Sequence, residues 1–273
     1  MNPYVEILRP GNAIMALIAV VLMAIIGKTY SIGIILGAIS VFIATGAGNT
    51  INDYCDSEID KINKPERPIP SGRITLKNAL YYSLILFVIA TIIGFFISFE
   101  NGVTVILCSI LMILYAYDFK QRCLIGNICV ALLTGLTFVY GALITGDVYL
   151  GIFLGFFAFL MTLSREIIKD TEDIEGDKKE NANTLPIKYG AKNAVIIAVI
   201  LNILTCLLSP ILYIYNVFSI VYLLIVLVAD IIFIYSAILA LKDQSKENLH
   251  KVSKLMKIAM LIAFVSFAIG SII

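Results

Sequence analysis

Residues 29–60 read TYSIGIILGAISVFIATGAGNTINDYCDSEID, an apolar stretch that ends in a run of carboxylates. Residues 29–52 contain no Asp, Glu, Lys or Arg. A helix needs about 20 such residues to cross a bilayer. The acidic residues follow at once, at Asp53, Asp56, Glu58 and Asp60. The stretch therefore predicts a transmembrane helix whose end carries a cluster of negative charge.

The rest of the chain shares this apolar character. Its 273 residues are 60% hydrophobic and 14% charged, with a mean hydropathy of +0.97, unlike soluble domains. No segment shows the alternating pattern of a membrane β-barrel, so the fold class is all-α integral membrane. Pro210 and Asn216 supply a turn that divides the longest uncharged run, which gives nine transmembrane helices. The predicted spans are 10–27, 29–52, 78–99, 101–117, 123–146, 148–164, 193 to about 211, about 216 to 241 and about 255 to 273.

Lysine and arginine residues are concentrated on one side of the predicted membrane. Nineteen of the twenty lie before span one or in the segments that follow even-numbered spans, and only Lys28 lies opposite. The positive-inside rule makes the first side cytoplasmic. We therefore expect a multi-pass protein of the cell membrane, with its N-terminus and active-site loops in the cytoplasm. The net charge of +1 gives no electrostatic reason to expect a nucleic-acid partner.

The acidic pattern D-x-x-D-x-x-x-D occurs twice, at the ends of spans two and six, 117 residues apart. This offset of four spans predicts two parallel four-helix repeats plus a ninth helix around a central cavity, as one domain over residues 1–273. Segments with Pro and Gly follow both copies and predict ordered caps. The motifs with their caps are residues 49–72 and 165–190. The six aspartates are Asp53, Asp56, Asp60, Asp170, Asp173 and Asp177.

The spacing of these aspartates favours a metal site. Positions i, i+3 and i+7 of a helix share one face, so each copy forms a stripe of three carboxylates, and Asn49 extends the first stripe. Such carboxylates repel one another, and nothing in the neighbouring sequence neutralises them. Mg²⁺ is commonly held by carboxylates together with substrate phosphates. Two stripes facing each other across a cavity would hold a pyrophosphate between metal ions, and cap cations such as Arg67 and Lys188 would meet its remaining oxygens.

These motifs resemble the UbiA superfamily of intramembrane prenyltransferases. The resemblance rests on N-D-x-x-D-x-x-x-D at 52–60, K-D-x-x-D-x-x-G-D at 169–177 and the nine helices, and it covers essentially the whole chain. It implies a prenyltransferase that moves an isoprenoid chain from its pyrophosphate to a lipophilic acceptor. It also implies the cofactor Mg²⁺, bound by all six aspartates, with Asp53, Asp56, Asp170 and Asp177 as catalytic residues. The implied substrate-binding residues are Arg9, Asn12, Asn49, Asn52, Arg67, Tyr115, Lys120 and Lys188.

Members of this family differ in their acceptor. The compact chain and the segment 164–177 most resemble the archaeal ether-lipid branch, which joins geranylgeranyl pyrophosphate to geranylgeranylglyceryl phosphate through a second ether bond. Plastid enzymes carry a similar second motif, so an aromatic acceptor such as 4-hydroxybenzoate, a quinone precursor, homogentisate or chlorophyllide is the alternative. A glyceryl phosphate would bring a second anion, for which Lys120, Arg122 and Arg9 are candidate contacts. The expected partners are the isoprenyl pyrophosphate, the lipid acceptor and membrane lipid, and no protein partner is inferred.

Other classes of function fit the sequence less well. Secondary transporters share repeats and intramembrane acids, but their sites usually lie at the midplane on broken helices, whereas these acids end intact spans. A CDP-alcohol phosphotransferase needs D-x-x-D-G-x-x-A-R, and here Ser57 follows Asp56. Asp230 lies in mid-span, away from both motifs, and is interpreted as a packing or gating residue. The five cysteines lack a CxxC pair and His250 is expected in a solvated loop, so neither a zinc site nor histidine base chemistry is predicted.

Overall fold

The computed structural model describes residues 1–179 and 182–272, the side chain of Lys179 excepted, and within them it is all-α without a strand. Among these described residues, eight helical segments are long and apolar enough to cross a membrane, and α2 is a shorter apolar helix. The predicted membrane architecture is therefore confirmed. The helices are α1 Pro3–Glu6, α2 Pro10–Ile26, α3 Ile32–Cys55, α4 Ser57–Asn63, α5 Leu76–Ile97, α6 Phe99–Tyr117, α7 Ile125–Thr145, α8 Val148–Glu172, α9 Ile174–Lys179, α10 Leu185–Tyr189, α11 Ala191–Leu208, α12 Ile211–Ile214, α13 Ile220–Lys242 and α14 Lys246–Ile272.

The last helix starts earlier than the sequence predicts. Charged residues suggested a polar loop over 242–257, but α14 already begins at Lys246. Leu249, Val252, Ser253 and Met256 are buried at helical spacing, so the segment is an amphipathic helix with its charges on the other face. The expectation of a loop at His250 was therefore wrong. His250 lies on α14, with its Nδ1 2.7 Å from Oε1 of Glu172.

Contacts divide the chain into two compact units. One contains Met1–Lys120 and Leu136–Ile152, and the other contains Gln121–Gly135 and Phe153–Ile273. The sequence repeat alone would place the boundary between spans four and five, whereas the observed boundary passes through α7 and α8. A single domain over residues 1–273 stays a prediction.

In the first unit, α3 packs against α2, α5 and α6. Its buried face is rich in small residues, which allow the backbones of membrane helices to approach closely. The hydroxyl of Ser40 donates to the Ala90 carbonyl at 2.8 Å, and that of Ser83 donates to the Ala47 carbonyl at 3.0 Å, so α3 and α5 are also joined by hydrogen bonds. This packing fixes the helix that carries the first acidic motif.

In the second unit, the carrier of the acidic motif is α8. The hydroxyl of Ser164 donates to the Ala198 carbonyl at 2.8 Å and joins α8 to α11. Gly135 of α7 and Gly155 of α8 lie in close contact, because a Cβ on either would be 2.6 Å from the carbonyl oxygen of the other. Alanine at either position would separate the two helices. The second acidic motif is thus held by direct packing of α8 against α7 and α11.

Candidate active site

Each acidic motif contains a short break in its helix. Asp56 alone separates α3 from α4, and Asp173 alone separates α8 from α9. The backbone amide of Asp60 donates to the Asp56 carbonyl at 2.8 Å, and that of Asp177 donates to the Asp173 carbonyl at 2.9 Å. The prediction of two uninterrupted helical stripes is corrected to two stripes with one turn residue each. Aspartate suits such a position because its side chain competes with the helix for backbone hydrogen bonds.

Arg67 bridges two carboxylates of the first motif. Its Nη1 lies 2.6 Å from Oδ2 of Asp60 and 3.1 Å from Oδ1 of Asp53. The side chains of Asp53 and Asp60 are only 3% and 5% exposed, and that of Arg67 is 20% exposed. A buried carboxylate needs a counter-charge, and the cap that follows α4 supplies it.

Two more cations reach the first motif from distant parts of the chain. Arg9, just before α2, donates to Asp53, and Lys120, in the 3₁₀ turn after α6, donates to Asp56. The Asn52 side-chain amide also donates to Asp56, at 2.9 Å. The first stripe therefore has counter-charges that the sequence next to it does not supply. Two of its three cations become neighbours only through packing.

The segment before Arg9 is held by two sets of hydrogen bonds. The Asn49 side-chain amide donates to the Leu8 carbonyl at 2.8 Å. Arg73 donates to both carboxylate oxygens of Glu6, at 2.6 and 2.9 Å. The hydrogen bonds from this guanidinium hold the pKa of Glu6 below its usual value. These contacts fix the position from which Arg9 reaches the motif.

The second motif is compensated differently. Oδ2 of Asp170 accepts a hydrogen bond of 2.8 Å from the Asn127 amide, which is neutral. Asp173 lies 3.6 Å from Lys246, and these two side chains are 61% and 71% exposed, so the pair is weak. Asp177 is close enough to Asp170 for the two to interact electrostatically. Asp170 is therefore oriented by a hydrogen bond rather than by an ion pair.

Gly176 makes room for the second motif. A Cβ at this position would lie 2.7 Å from Oδ1 of Asp173, closer than side chains normally approach. The carboxylate of Asp173 thus rests against the backbone of α9. This close approach explains the glycine in K-D-x-x-D-x-x-G-D.

The cap after the second motif also differs from the cap after the first motif. Thr184 follows Asp177 by seven residues, as Arg67 follows Asp60. The Thr184 side chain is buried, and its hydroxyl makes no hydrogen bond to any described residue. Lys188 is exposed, with its Nζ 5.3 Å from the centre of the Tyr189 ring. Residues 180 and 181 of this predicted cap lie outside the described residues.

The donor groups of both motifs fit Mg²⁺ by their chemistry. They are carboxylate and carboxamide oxygens, which Mg²⁺ prefers. Asp53 and Asp60 each direct an oxygen to Arg67 Nη1, so two carboxylates already converge on one positive group. Within residues 1–179 and 182–272, no three His, Cys, Asp or Glu side chains converge on one point. The remaining ligands of a bound ion would therefore include substrate and water oxygens.

The remaining predicted site residues differ in their exposure. Asn12 is exposed at the start of α2, Tyr115 is half-buried near the end of α6, and Arg122 is exposed. Sequence reasoning missed Asn127. Its signal was a carboxamide at the start of an otherwise apolar span, where a polar side chain requires a partner.

The sequence profile of the UbiA prenyltransferase family matches residues 12–264. The chain belongs to this family. It is 74% identical over 272 residues to a digeranylgeranylglyceryl phosphate synthase from Methanosphaera stadtmanae, with both chains covered completely. The synthase of the same description from Methanothermobacter thermautotrophicus is 48% identical, over 99% of this chain and 96% of that one. The predicted family and enzyme class, a UbiA-type prenyltransferase, are confirmed.

Solved structures of UbiA proteins show the same fold. A structure of digeranylgeranylglyceryl phosphate synthase has a TM-score of 0.88 at 39% identity, covering 99% of this chain and 98% of that one. A UbiA homolog from Archaeoglobus fulgidus bound to GPP and Mg²⁺ has a TM-score of 0.66 at 16% identity, covering 97% of this chain and 99% of the other. The second similarity concerns the fold alone.

Proposed function

We propose that this chain transfers a geranylgeranyl group from geranylgeranyl pyrophosphate to geranylgeranylglyceryl phosphate. The bond between the allylic carbon and the pyrophosphate oxygen breaks, the glycerol oxygen bonds to that carbon, and the hydroxyl proton is released. The product carries the second ether bond of an archaeal membrane lipid. The observation that carries this proposal is the full-length similarity, at 74% identity, to a digeranylgeranylglyceryl phosphate synthase.

The two acidic motifs are the proposed Mg²⁺ and pyrophosphate sites. All six aspartates are ligand candidates, and Asp53, Asp56, Asp170 and Asp177 are the residues whose loss should stop transfer. When bound, Mg²⁺ would offset the negative charge that develops on the departing pyrophosphate. The carboxylate-rich donor set supports this assignment.

The chain's own side chains have distinct proposed roles. Arg9, Arg67 and Lys120 are close to the carboxylates of the first motif, and each can donate to a pyrophosphate oxygen once that anion is present. The Asn127 amide holds one oxygen of Asp170 and so orients the other. Apolar helices exclude water, which would otherwise capture the reactive allylic carbon. Asn12, Asn49, Asn52, Tyr115 and Lys188 stay candidate substrate contacts.

The location of the reaction follows from the charge distribution. The chain is a multi-pass membrane protein. We place it in the cell membrane, with the loops rich in Lys and Arg, and therefore both acidic motifs, on the cytoplasmic side.

The enzymatic assignment can be tested with purified protein. Geranylgeranyl pyrophosphate, geranylgeranylglyceryl phosphate and Mg²⁺ should give pyrophosphate and the diether product. Asp53→Asn and Asp170→Asn should each reduce transfer by about 100-fold or more, because each removes a carboxylate that would hold the Mg²⁺ that offsets charge on the leaving group. Glu58→Ala is the matched control, since Glu58 is exposed and pairs with Lys61 at 2.7 Å. Its rate should stay near that of the wild type. Transfer that persists in excess EDTA would contradict the metal sites.

A further inference from the structure

The first acidic motif carries its own counter-ions. Asp53, Asp56 and Asp60 are paired with a cluster of three cations, Arg9, Arg67 and Lys120. We call this set the counter-ion cluster. The formal charges of the three carboxylates and the cluster cancel. This motif therefore has no uncompensated negative charge to attract a free divalent cation.

A metal ion at this motif would have to replace Arg67. The same guanidinium nitrogen contacts both Asp53 and Asp60, so these carboxylates would have to release Arg67 in order to hold an ion together. Arg67 is only 20% exposed. Leaving a mostly buried charge without a partner is strongly unfavourable. The exchange becomes favourable only when another anion accepts the displaced cation.

A pyrophosphate is such an anion. Its oxygens accept charge-assisted hydrogen bonds from arginine and lysine, and the same oxygens are ligands for Mg²⁺. One bound pyrophosphate could therefore accept the displaced cations and complete the coordination of the metal ion. Metal and anion would then each increase the affinity of the motif for the other, as thermodynamic linkage requires.

We propose that the counter-ion cluster occupies the first acidic motif until pyrophosphate is present, so that Mg²⁺ binds this motif only together with the pyrophosphate anion. This inference rests on the proposed function, because it takes the aspartates as metal ligands. It assigns the first motif a gating role: metal and prenyl substrate enter it as a pair. An Mg²⁺ ion without substrate is excluded from it.

The second motif should not share this requirement. The hydrogen-bond donor to Asp170 is the neutral amide of Asn127, and Thr184 stands at the position that corresponds to Arg67. A metal ion that binds Asp170 displaces no buried cation from it. The pair between Asp173 and Lys246 is largely exposed, so breaking it costs little. Mg²⁺ should therefore bind at Asp170 and Asp173 whether or not pyrophosphate is present.

The test is a direct measurement of bound metal. The purified full chain in nanodiscs is dialysed against a fixed free concentration of Mg²⁺, with and without inorganic pyrophosphate, and bound Mg²⁺ is measured. Without pyrophosphate, Asp170→Asn should lower the bound metal and Asp53→Asn should not. With pyrophosphate, both substitutions should lower it.

Arg67→Gln tests the counter-ion directly. Without pyrophosphate this substitution should raise the Mg²⁺ affinity of the first motif by at least about fivefold, the lower end of typical coupling between sites. Arg67→Lys, which keeps the charge, should restore part of the pyrophosphate requirement. Lys61→Gln is the matched control, because it removes the same charge from the same segment, and Lys61 is exposed and pairs with Glu58 outside the cluster. Its metal binding should equal that of the wild type.

The outcomes separate the two proposals. If Asp53→Asn lowers bound Mg²⁺ equally with and without pyrophosphate, or if folded Arg67→Gln binds metal as the wild type does, the gating role is overturned while the metal site stands. If Asp53→Asn changes bound Mg²⁺ under neither condition, the metal site itself is wrong, and the proposed function fails with it. Should Arg67→Gln not fold, the comparison of Asp53→Asn with Asp170→Asn decides alone.

Discussion

The first aspartate of each motif is held by a residue at the start of another helix. Arg9, at the start of α2, contacts Asp53 across 44 residues of sequence. Asn127, at the start of α7, contacts Asp170 across 43 residues. Because α2 and α7 are the first spans of the two sequence repeats, the repeat preserves the position of the partner as well as the spacing of the acids. It does not preserve the partner's charge, and this difference separates the electrostatics of the two motifs.

The identity of the site residues could be predicted, but their pairing could not. The repeated spacing indicated all six aspartates, and the cap composition indicated Arg67. Lys120 and Arg9 were considered as contacts for an acceptor phosphate, whereas in the structure they contact Asp56 and Asp53. Such pairs depend on helix packing, which no local pattern of residues records. Their contact with the acceptor stays a prediction.

Asp230 illustrates a buried acid with a structural partner. Its Oδ2 accepts a hydrogen bond of 2.6 Å from the Ser209 hydroxyl, and the Tyr222 hydroxyl donates to the Ser209 carbonyl, also at 2.6 Å. Asp230→Ala should lower the free energy of unfolding by about 1 kcal/mol, because the buried Ser209 hydroxyl loses its shorter hydrogen bond and keeps only the Cys206 carbonyl, at 3.1 Å, as acceptor. Asp230→Asn keeps an acceptor oxygen and should be close to the wild type. Thermal unfolding followed by circular dichroism measures both. A folded but inactive Asp230→Asn protein would instead indicate a functional acid.

At the scale of the elements, the predicted spans located the apolar part of each helix but not its ends. α3, α8 and α14 continue past their uncharged runs into charged sequence. The continuation of α8 buries Ile167 and Ile168, so packing stabilises a helix that the charges alone would have ended at residue 164. Runs without charged residues indicate which residues lie in the membrane. The length of a helix also depends on packing contacts outside the membrane.

The close approach at Gly176 gives a test of α9. Gly176→Ala places a Cβ where Oδ1 of Asp173 lies, and the exposed carboxylate can move aside at little cost in stability. The substitution should therefore leave the unfolding temperature nearly unchanged and weaken the apparent Mg²⁺ affinity in the transfer assay by about tenfold, as displaced supporting groups do at metal sites. Glu175→Ala on the same helix is the control, because Glu175 is exposed. Equal Mg²⁺ dependence of the two variants would remove Asp173 from the ligand candidates.

At the scale of the whole molecule, composition and uncharged runs were sufficient to predict nine membrane helices. The boundary between the compact units was not predictable, because it passes through α7 and α8 and depends on which neighbours those helices contact. The repeat of 117 residues indicates the positions of the motifs, whereas the units reflect packing.

The orientation in the membrane can be tested by labelling. In a protein whose five cysteines have been replaced, a membrane-impermeant thiol reagent should reach Ser71→Cys only from the cytoplasmic side. It should reach Tyr149→Cys, in the first turn of α8, only from outside. Both residues are exposed, so a difference in labelling would show on which side of the membrane each residue lies, and not whether it is buried in the protein. The opposite pattern would invert the predicted topology and place the acidic motifs outside the cell.

The choice of acceptor is the most direct test of the central claim. Purified protein is given radiolabelled geranylgeranyl pyrophosphate and Mg²⁺ with an equimolar mixture of geranylgeranylglyceryl phosphate, 4-hydroxybenzoate and homogentisate, and the labelled products are separated. We expect the label in digeranylgeranylglyceryl phosphate and no label in the aromatic acceptors. Label in a prenylated aromatic product, with none in the diether, would contradict the ether-lipid function and leave only the fold and the metal sites.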